Sequence, residues 1–181
     1  MKKILLTMTV VIIAIFMCTG CMSKKLEYDP NLGYDLNNVK NKDVTFNVYH
    51  SNTKDHTWEL VTSFQCDPKP GHYNDVKIGG KKNKVIAVLS DNTYTESEDG
   101  KSASYDGVDL STYEYVVKGF DGVDPGYVTF DVKDEEGEQF VRLYPITNSG
   151  EVSYYEEISL DKPYETDEKI IDNILITIVM K

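Results

Sequence analysis

Four side chains that could bind a metal ion, or act as a nucleophile and its base, lie within one window of the chain. They are His50, His56, Cys66 and His72. Zn²⁺ and copper both prefer imidazole and thiolate ligands, and a thiolate beside a histidine can act as a nucleophile. The spacing matches no compact ligand motif, and a reactive thiol needs an electropositive, partly open setting. We therefore predict no metal site, and we expect Cys66 to be a packed core side chain.

Two further stretches are rich in carboxylates, the groups that Ca²⁺ prefers as ligands. Their acids are Asp91, Glu96, Glu98, Asp99 and Asp106 in the first stretch, and Asp131, Asp134, Glu135, Glu136 and Glu138 in the second. Neither stretch has the EF-hand spacing, so we interpret both as solvated loops and keep calcium binding as an alternative. No nucleophile elbow, zinc-protease helix, phosphate loop or dinucleotide motif is present in the sequence. The sequence therefore favours no enzymatic reaction and no cofactor.

The amino end carries the most specific pattern. Lys2 and Lys3 precede an apolar run over residues 4–17, which is shorter than the roughly 18 residues of a membrane-spanning helix. The run closes on Cys18-Thr19-Gly20-Cys21. This segment resembles the signal of bacterial lipoproteins, in which small residues precede a cysteine that receives a lipid. Cys18 departs from that pattern, where an aliphatic residue is usual, and the resemblance covers only the first 21 residues.

The resemblance implies a signal peptide over residues 1–20 and a mature chain that begins at a lipidated Cys21. Two or three acyl chains, such as palmitate, would hold the protein stably on a membrane. We expect it on the outer, extracytoplasmic face of the cell membrane, with the lipid bilayer as a partner through Cys21. Cys66 would then be the only free thiol, so no internal disulfide could stabilise the domain.

The charge of the chain excludes one class of partner. Its formal charge is −11, and it becomes −13 once residues 1–20, with two lysines and no acid, are removed. Nucleic acid is excluded, because affinity for it begins with basic side chains that neutralise phosphates. Residues 21–42 contain few apolar side chains, so we expect a flexible lipidated tether there and a single β domain over residues 43–181.

Beyond residue 42 the dominant hydrophobic period is two, which is the spacing of half-buried strands. The predicted strands are 44–48, 58–66, 85–89, 111–118, 127–132, 139–144, 152–160 and 173–180. Short strands separated by turns, with no helical pattern between them, predict an all-β antiparallel β-sandwich, immunoglobulin-like, with a small β-barrel as the alternative. We expect Trp58 between the sheets, on one face with Leu60, Phe64 and Cys66.

The hairpin around Glu135 suggests a binding surface. If Val128, Val141 and Leu143 face the core, strict alternation places another set on the outer face: Tyr127, Phe140, Arg142 and Tyr144. Arginine and tyrosine often anchor protein interfaces, and flat aromatic rings also stack on sugars. These four residues are therefore the candidate binding residues. The alternative is an ordinary solvated sheet in which Arg142 pairs with Asp131.

Together these observations predict a membrane-anchored extracytoplasmic lipoprotein that acts as a non-enzymatic binding or adaptor module for a protein or a cell-wall glycan. Two alternatives stay open. One is a small cell-wall or peptide hydrolase, for which Cys66 and His72 would have to meet. The other is a calcium-dependent adhesion module.

Overall fold

The computed structural model describes residues 24–37, 39, 43–52, 54–98, 103–118, 127–147, 158–161 and 170–181. In this part of the chain there are ten β-strands and no helix. The strands are β1 (Tyr28–Asp29), β2 (Gly33–Asp35), β3 (Val44–Asn52), β4 (Thr57–Cys66), β5 (His72–Lys81), β6 (Lys84–Glu96), β7 (Ala103–Val116), β8 (Val128–Thr129), β9 (Gly137–Thr147) and β10 (Ile170–Met180).

These strands form two antiparallel five-stranded sheets. The first has the order β1-β2-β5-β6-β7, and the second has the order β4-β3-β10-β9-β8. The two sheets pack face to face, which confirms the predicted antiparallel β-sandwich, and the described strands close no barrel. An immunoglobulin domain instead groups its first, second, fifth and fourth strands in one sheet. The confirmation therefore covers the sandwich and not that subtype.

The core lies between the inner faces, where alternate residues of the central strands are buried. From β3 and β10 these are Val44, Phe46, Val48, Ile174, Ile176, Ile178 and Met180; from β5 and β6 they are Val76, Ile78, Val85, Ala87 and Leu89. Alternation places every second residue on one face of a strand, so a period of two in the sequence becomes one continuous apolar layer. The predicted strands 44–48 and 58–66 are confirmed as β3 and β4, which pair as a hairpin.

The amino-terminal part of the described chain belongs to the sandwich. β1 and β2 pair with each other, and β2 pairs with β5 at Asn74 and Tyr73. Lys25 bridges to Lys133, which ties this segment to the second sheet as well. Its buried side chains are Leu26, Leu32, Tyr34, Leu36 and Val39. The expected flexible tether is therefore wrong for residues 24–37 and 39, because these few apolar side chains are spaced so that each reaches the core.

A β-bulge in β4 changes which side chains face the core. Phe64 pairs with Phe46 and Thr62 with Val48, but the next pair is Leu60 with Tyr49, so Val61 is an extra residue. One extra residue reverses the facing of everything beyond it. Phe64 and Cys66 are buried as predicted, whereas Leu60 is 56% exposed and Trp58 is half-buried. The prediction of one shared face was wrong for Trp58 and Leu60.

Several predictions concern residues outside the described part of the chain. These are the signal peptide, Cys21 and most of the predicted strand 152–160. Among the described residues, no helix has the length and hydrophobicity that a membrane crossing requires.

β5 was not predicted, because Asp75, Lys77 and two glycines interrupt its apolar alternation.

Candidate functional site

The structure places Arg142 between the sheets and not on the outer face. Ile176 of β10 pairs with Arg142, but the next residue, Thr177, pairs with Phe140, so Val141 is a bulged residue. Directly paired residues share a face, and Ile176 is a core residue, so the Arg142 side chain points inward. Arg142 is only 3% exposed. The prediction of an outward Arg142 was wrong because the bulge shifts the alternation of β9.

Arg142 pairs with Asp75, which β5 contributes from the opposite sheet. Nη1 donates to Asp75 Oδ2 at 3.1 Å, and Nη2 lies 3.0 Å from Asp75 Oδ1. Nη2 also donates to the Tyr28 hydroxyl at 2.6 Å, and Nη1 to the Val76 carbonyl at 3.4 Å. Two close contacts between a planar guanidinium and a carboxylate fix their mutual orientation, and the contact from Nη1 to Oδ2 is a hydrogen bond. The pair therefore joins the two sheets where β5 meets the short strand β2.

Three tyrosines surround the guanidinium. Its carbon lies 5.0 Å from the ring centre of Tyr28 and 5.6 Å from that of Tyr127, and the rings of Tyr127 and Tyr144 are 5.4 Å apart. The structure brings Tyr127, Arg142 and Tyr144 together in a largely buried cluster and not on an outer face. Phe140 lies apart and packs edge-on against Phe130 at 5.7 Å.

The charges of this cluster balance each other. Burial raises the pKa of Asp75, and Arg142 opposes that rise. Burial alone would lower the pKa of Arg142, but Asp75 and the Tyr144 hydroxyl hold it above its ordinary value. Burial raises the pKa of Tyr144 to about 12. The guanidinium is therefore charged and already neutralised by a protein carboxylate. This geometry suits an internal cross-link better than a ligand site. Within the cluster Tyr127 is 53% exposed and Tyr28 is partly buried, whereas Arg142, Asp75 and Tyr144 are buried.

The thiol of Cys66 is poorly suited to nucleophilic chemistry. Cys66 is 5% exposed, and burial, helped by the Asp91 carboxylate, raises its pKa to about 12. His72 Nδ1 lies 3.0 Å from each oxygen of Asp91, so this imidazole is oriented by a carboxylate. A thiol with a raised pKa is almost wholly protonated at neutral pH and is a weak nucleophile. Within the described residues, no three His, Cys, Asp or Glu side chains converge to hold a metal ion.

His50 lies close to side chains from both sheets. Its Nε2 lies 3.2 Å from Glu59 Oε2 on β4, and its Nδ1 lies 3.8 Å from Asp172 Oδ2 on β10. Its ring centre is 5.9 Å from that of Tyr115 on β7. The neighbouring Asp172 carboxylate makes the largest contribution that raises the pKa of His50, and burial opposes it. The Ser51 hydroxyl donates to Asp172 at 2.9 Å and accepts from the Asn173 backbone at 2.8 Å, so it is engaged in structure.

Several of the predicted calcium ligands contact other protein groups. Asp131 forms an ion pair with Lys25 at 2.5 Å, and Asp91 pairs with His72. Glu138 Oε1 accepts hydrogen bonds from three side chains: Asn47 at 3.0 Å, Tyr49 at 2.9 Å and Thr177 at 2.5 Å. Calcium needs six to eight oxygens, so these contacts would compete with an ion. Calcium binding stays a prediction.

The most exposed apolar surface lies on the long hairpin of β6 and β7, much of which the sequence analysis read as a polar loop. Of the eight strongly exposed large apolar side chains among the described residues, six lie there: Tyr94, Tyr105, Val108, Leu110, Tyr113 and Val116. β7 is also the last strand of its sheet. Exposed apolar groups along a sheet edge are a common signal of protein association. Tyr105, Val108 and Leu110 were visible in the sequence as apolar residues, but their exposure was not.

The chain was compared with protein-family models, with curated proteins and with solved structures. None of the three comparisons found a match. The function must therefore be argued from the residues and the geometry above.

Proposed function

We propose that this protein is a lipid-anchored extracytoplasmic binding module, not an enzyme, and that it captures a protein partner through the exposed edge of β7. The observation that carries the proposal is the concentration of exposed apolar side chains on this one edge strand. Val108 is 63% exposed, Leu110 53% and Val116 74%. These three aliphatic side chains suit a protein partner, whereas the three exposed tyrosines of the same hairpin suit either a protein or a sugar.

The proposal of a membrane anchor depends on the amino-terminal segment, residues 1–21. Its charged start, short apolar run and terminal Cys18-Thr19-Gly20-Cys21 support lipid attachment at Cys21. The test is metabolic labelling with a clickable palmitate analogue in a bacterial cell that produces the full chain. We expect a labelled protein in the membrane fraction and loss of both label and membrane association in Cys21→Ser. An unlabelled wild-type chain would contradict the anchor.

The binding surface is tested with a matched pair of substitutions. Leu110 on β7 and Leu60 on β4 are almost equally exposed, at 53% and 56%, and lie on different sheets. Affinity purification from the native envelope should retain the same partner with the wild type and with Leu60→Asp, and lose it with Leu110→Asp. Equal retention by both variants, or capture of a cell-wall polysaccharide instead of a protein, would contradict the proposed protein-binding edge.

Three of the four candidate binding residues do not contact the partner in this proposal. Arg142 and Tyr144 are buried, and Phe140 packs against Phe130, so none of the three is a direct contact. Tyr127 remains exposed. A hydrolase that uses Cys66 as its nucleophile is disfavoured, because burial raises the pKa of this thiol and so disfavours the thiolate.

A further inference from the structure

The outer edge of β7 offers unpaired backbone groups. β7 is 14 residues long and pairs with β6 from Lys84 opposite Val116 to Glu96 opposite Ala103. In an antiparallel pair every second residue directs its N–H and C=O toward the neighbouring strand, and the alternate residues direct theirs away. No described strand lies on that other side. An extended peptide could therefore add to the sheet here as a further strand.

One part of β7 is best suited to pair with an added strand. The ladder to β6 shifts register between Leu89 and Ser90, which leaves Leu110 as a bulged residue. Before the bulge, residues 103–109 pair regularly, and the hairpin extends past β5, whose pairing ends where His72 meets Thr93. The Tyr94 and Tyr105 rings contact each other at 5.4 Å on this arm. We define residues 103–109 as the docking arm.

The docking arm carries one apolar group and one carboxylate on each face. Alternation places Tyr105 and Asp109 on one face, and Asp106 and Val108 on the other. All four side chains are exposed. The whole of β7 contains no Lys, Arg, His or Pro, which are residues that commonly protect sheet edges. A strand that complements this arm needs basic side chains opposite Asp106 and Asp109 and apolar ones opposite Tyr105 and Val108.

Building on the proposed function, we infer that the partner is an extended segment with alternating basic and apolar residues, which adds to the docking arm as an antiparallel strand. Read from its amino end, the complementary order is basic, apolar, any, basic, aromatic, opposite residues 109 to 105. The strongly acidic charge of the chain, −11, would also speed its encounter with such a basic segment.

A second copy of this chain fits the arm poorly. If residues 103–109 paired with the same residues of another copy in full antiparallel register, Asp106 would lie opposite Asp106. Directly opposed like charges destabilise a strand pair. The net charge of −11 on each copy adds to this repulsion. Charge complementarity therefore selects a basic partner over self-association.

The test uses the full lipidated protein in detergent micelles and a fluorescent nonapeptide, Thr-Thr-Lys-Val-Ser-Lys-Tyr-Thr-Thr. We expect saturable binding by fluorescence polarisation, at least tenfold weaker binding when both lysines are replaced by glutamate, and slower amide hydrogen exchange in residues 103–109. Asp106→Asn with Asp109→Asn should weaken binding about five-fold, from the loss of two cross-strand charge pairs. Asp67→Asn with Glu136→Gln, which removes the same charge from other elements, should leave it unchanged.

Backbone pairing is tested separately from charge. N-methylation of the peptide amides that face β7 should abolish binding, whereas methylation of the alternate amides should not. Equal effects of the two methylation patterns, or binding that survives in a scrambled peptide, would overturn the inference in favour of plain electrostatic attraction. A dimer in sedimentation experiments that Val108→Asp dissociates would overturn it in favour of a second copy. If the peptide fails while the envelope partner still depends on Leu110, the strand inference fails and the proposed function stands.

Discussion

Arg142 on β9 and Asp75 on β5 form a two-point ion pair that links the two sheets of the sandwich, and the side chains of both are 5% exposed or less. Strict alternation along β9 predicts an outward Arg142 that contacts a partner. Its actual position makes it part of the internal architecture. A buried ion pair costs free energy to desolvate, and its loss on one side leaves an unpaired charge in the core.

Removal of one partner of this pair should therefore destabilise the protein strongly. We expect Arg142→Met to lower the free energy of unfolding by about 3–5 kcal/mol, because Asp75 is left buried without its cation. Asp75→Val in the same chain should restore much of the loss. Urea unfolding followed by circular dichroism measures both. The control is Lys84→Met, which breaks the half-exposed pair with Glu114 and should cost at most about 1 kcal/mol. Equal costs for Arg142→Met and Lys84→Met would contradict the cross-link.

Gly33 tests whether the amino-terminal segment is part of the fold. It has a φ of +111°, and an added Cβ would lie 2.6 Å from the Asn74 carbonyl oxygen. Gly33→Ala should destabilise the protein by about 1–3 kcal/mol, because the backbone is in a left-handed conformation and β5 blocks the space. Gly79→Ala, which meets nothing within 4 Å, should change stability by at most about 1 kcal/mol, in the stabilising direction if at all. Thermal unfolding of the two variants decides the matter, and identical melting temperatures would show that β2 does not contribute.

The bulge at Val61 predicts opposite outcomes for two apolar residues of the same strand. Phe64 is 4% exposed and Leu60 is 56% exposed. Phe64→Ala should cost about 3–5 kcal/mol through the cavity it leaves, and Leu60→Ala should stay within about 0.5 kcal/mol of the wild type. Denaturant unfolding provides the comparison. A large loss in Leu60→Ala would mean that β4 continues without the bulge and that both side chains face the core.

His50 predicts a pH dependence of stability. Asp172, and to a smaller degree Glu59, raise the pKa of His50, while the nearby Tyr115 stays neutral because burial raises its own pKa. A histidine with a raised pKa in the folded state contributes its full stabilisation below about pH 6.5 and loses it as the pH rises through the folded-state pKa.

The measurement is the free energy of unfolding between pH 5 and pH 9. The wild type should lose stability across the upper part of this range, and His50→Gln should remove part of that loss. Glu59→Gln, which keeps the shape of the side chain, should reduce the loss to a smaller extent. Parallel pH profiles for the wild type and His50→Gln would show that the imidazole gains nothing from the two carboxylates.

Local alternation was enough to predict much of the fold. Val44, Phe46 and Val48 on β3, and the apolar run of β10, identify strands without reference to distant residues. The errors in side-chain facing begin at two bulged residues, Val61 and Val141. No residue type marks either bulge, because each is set by the register of a strand pair: β4 with β3 at Val61, and β9 with β10 at Val141. The prediction of an outward binding surface was wrong for the same reason, because the direction of the Arg142 side chain depends on the bulge at Val141.

By itself, the sequence determined the class of this protein: alternating apolar residues with frequent turns specify an antiparallel β-sandwich, because side chains alternate strictly along any extended strand. Only the tertiary structure decided which face each side chain occupies beyond a bulge, that Leu26, Tyr34, Leu36 and Val39 belong to the core, and that β7 is the last described strand of its sheet. These properties depend on which strands become neighbours, and that choice is made by the packing of the whole chain.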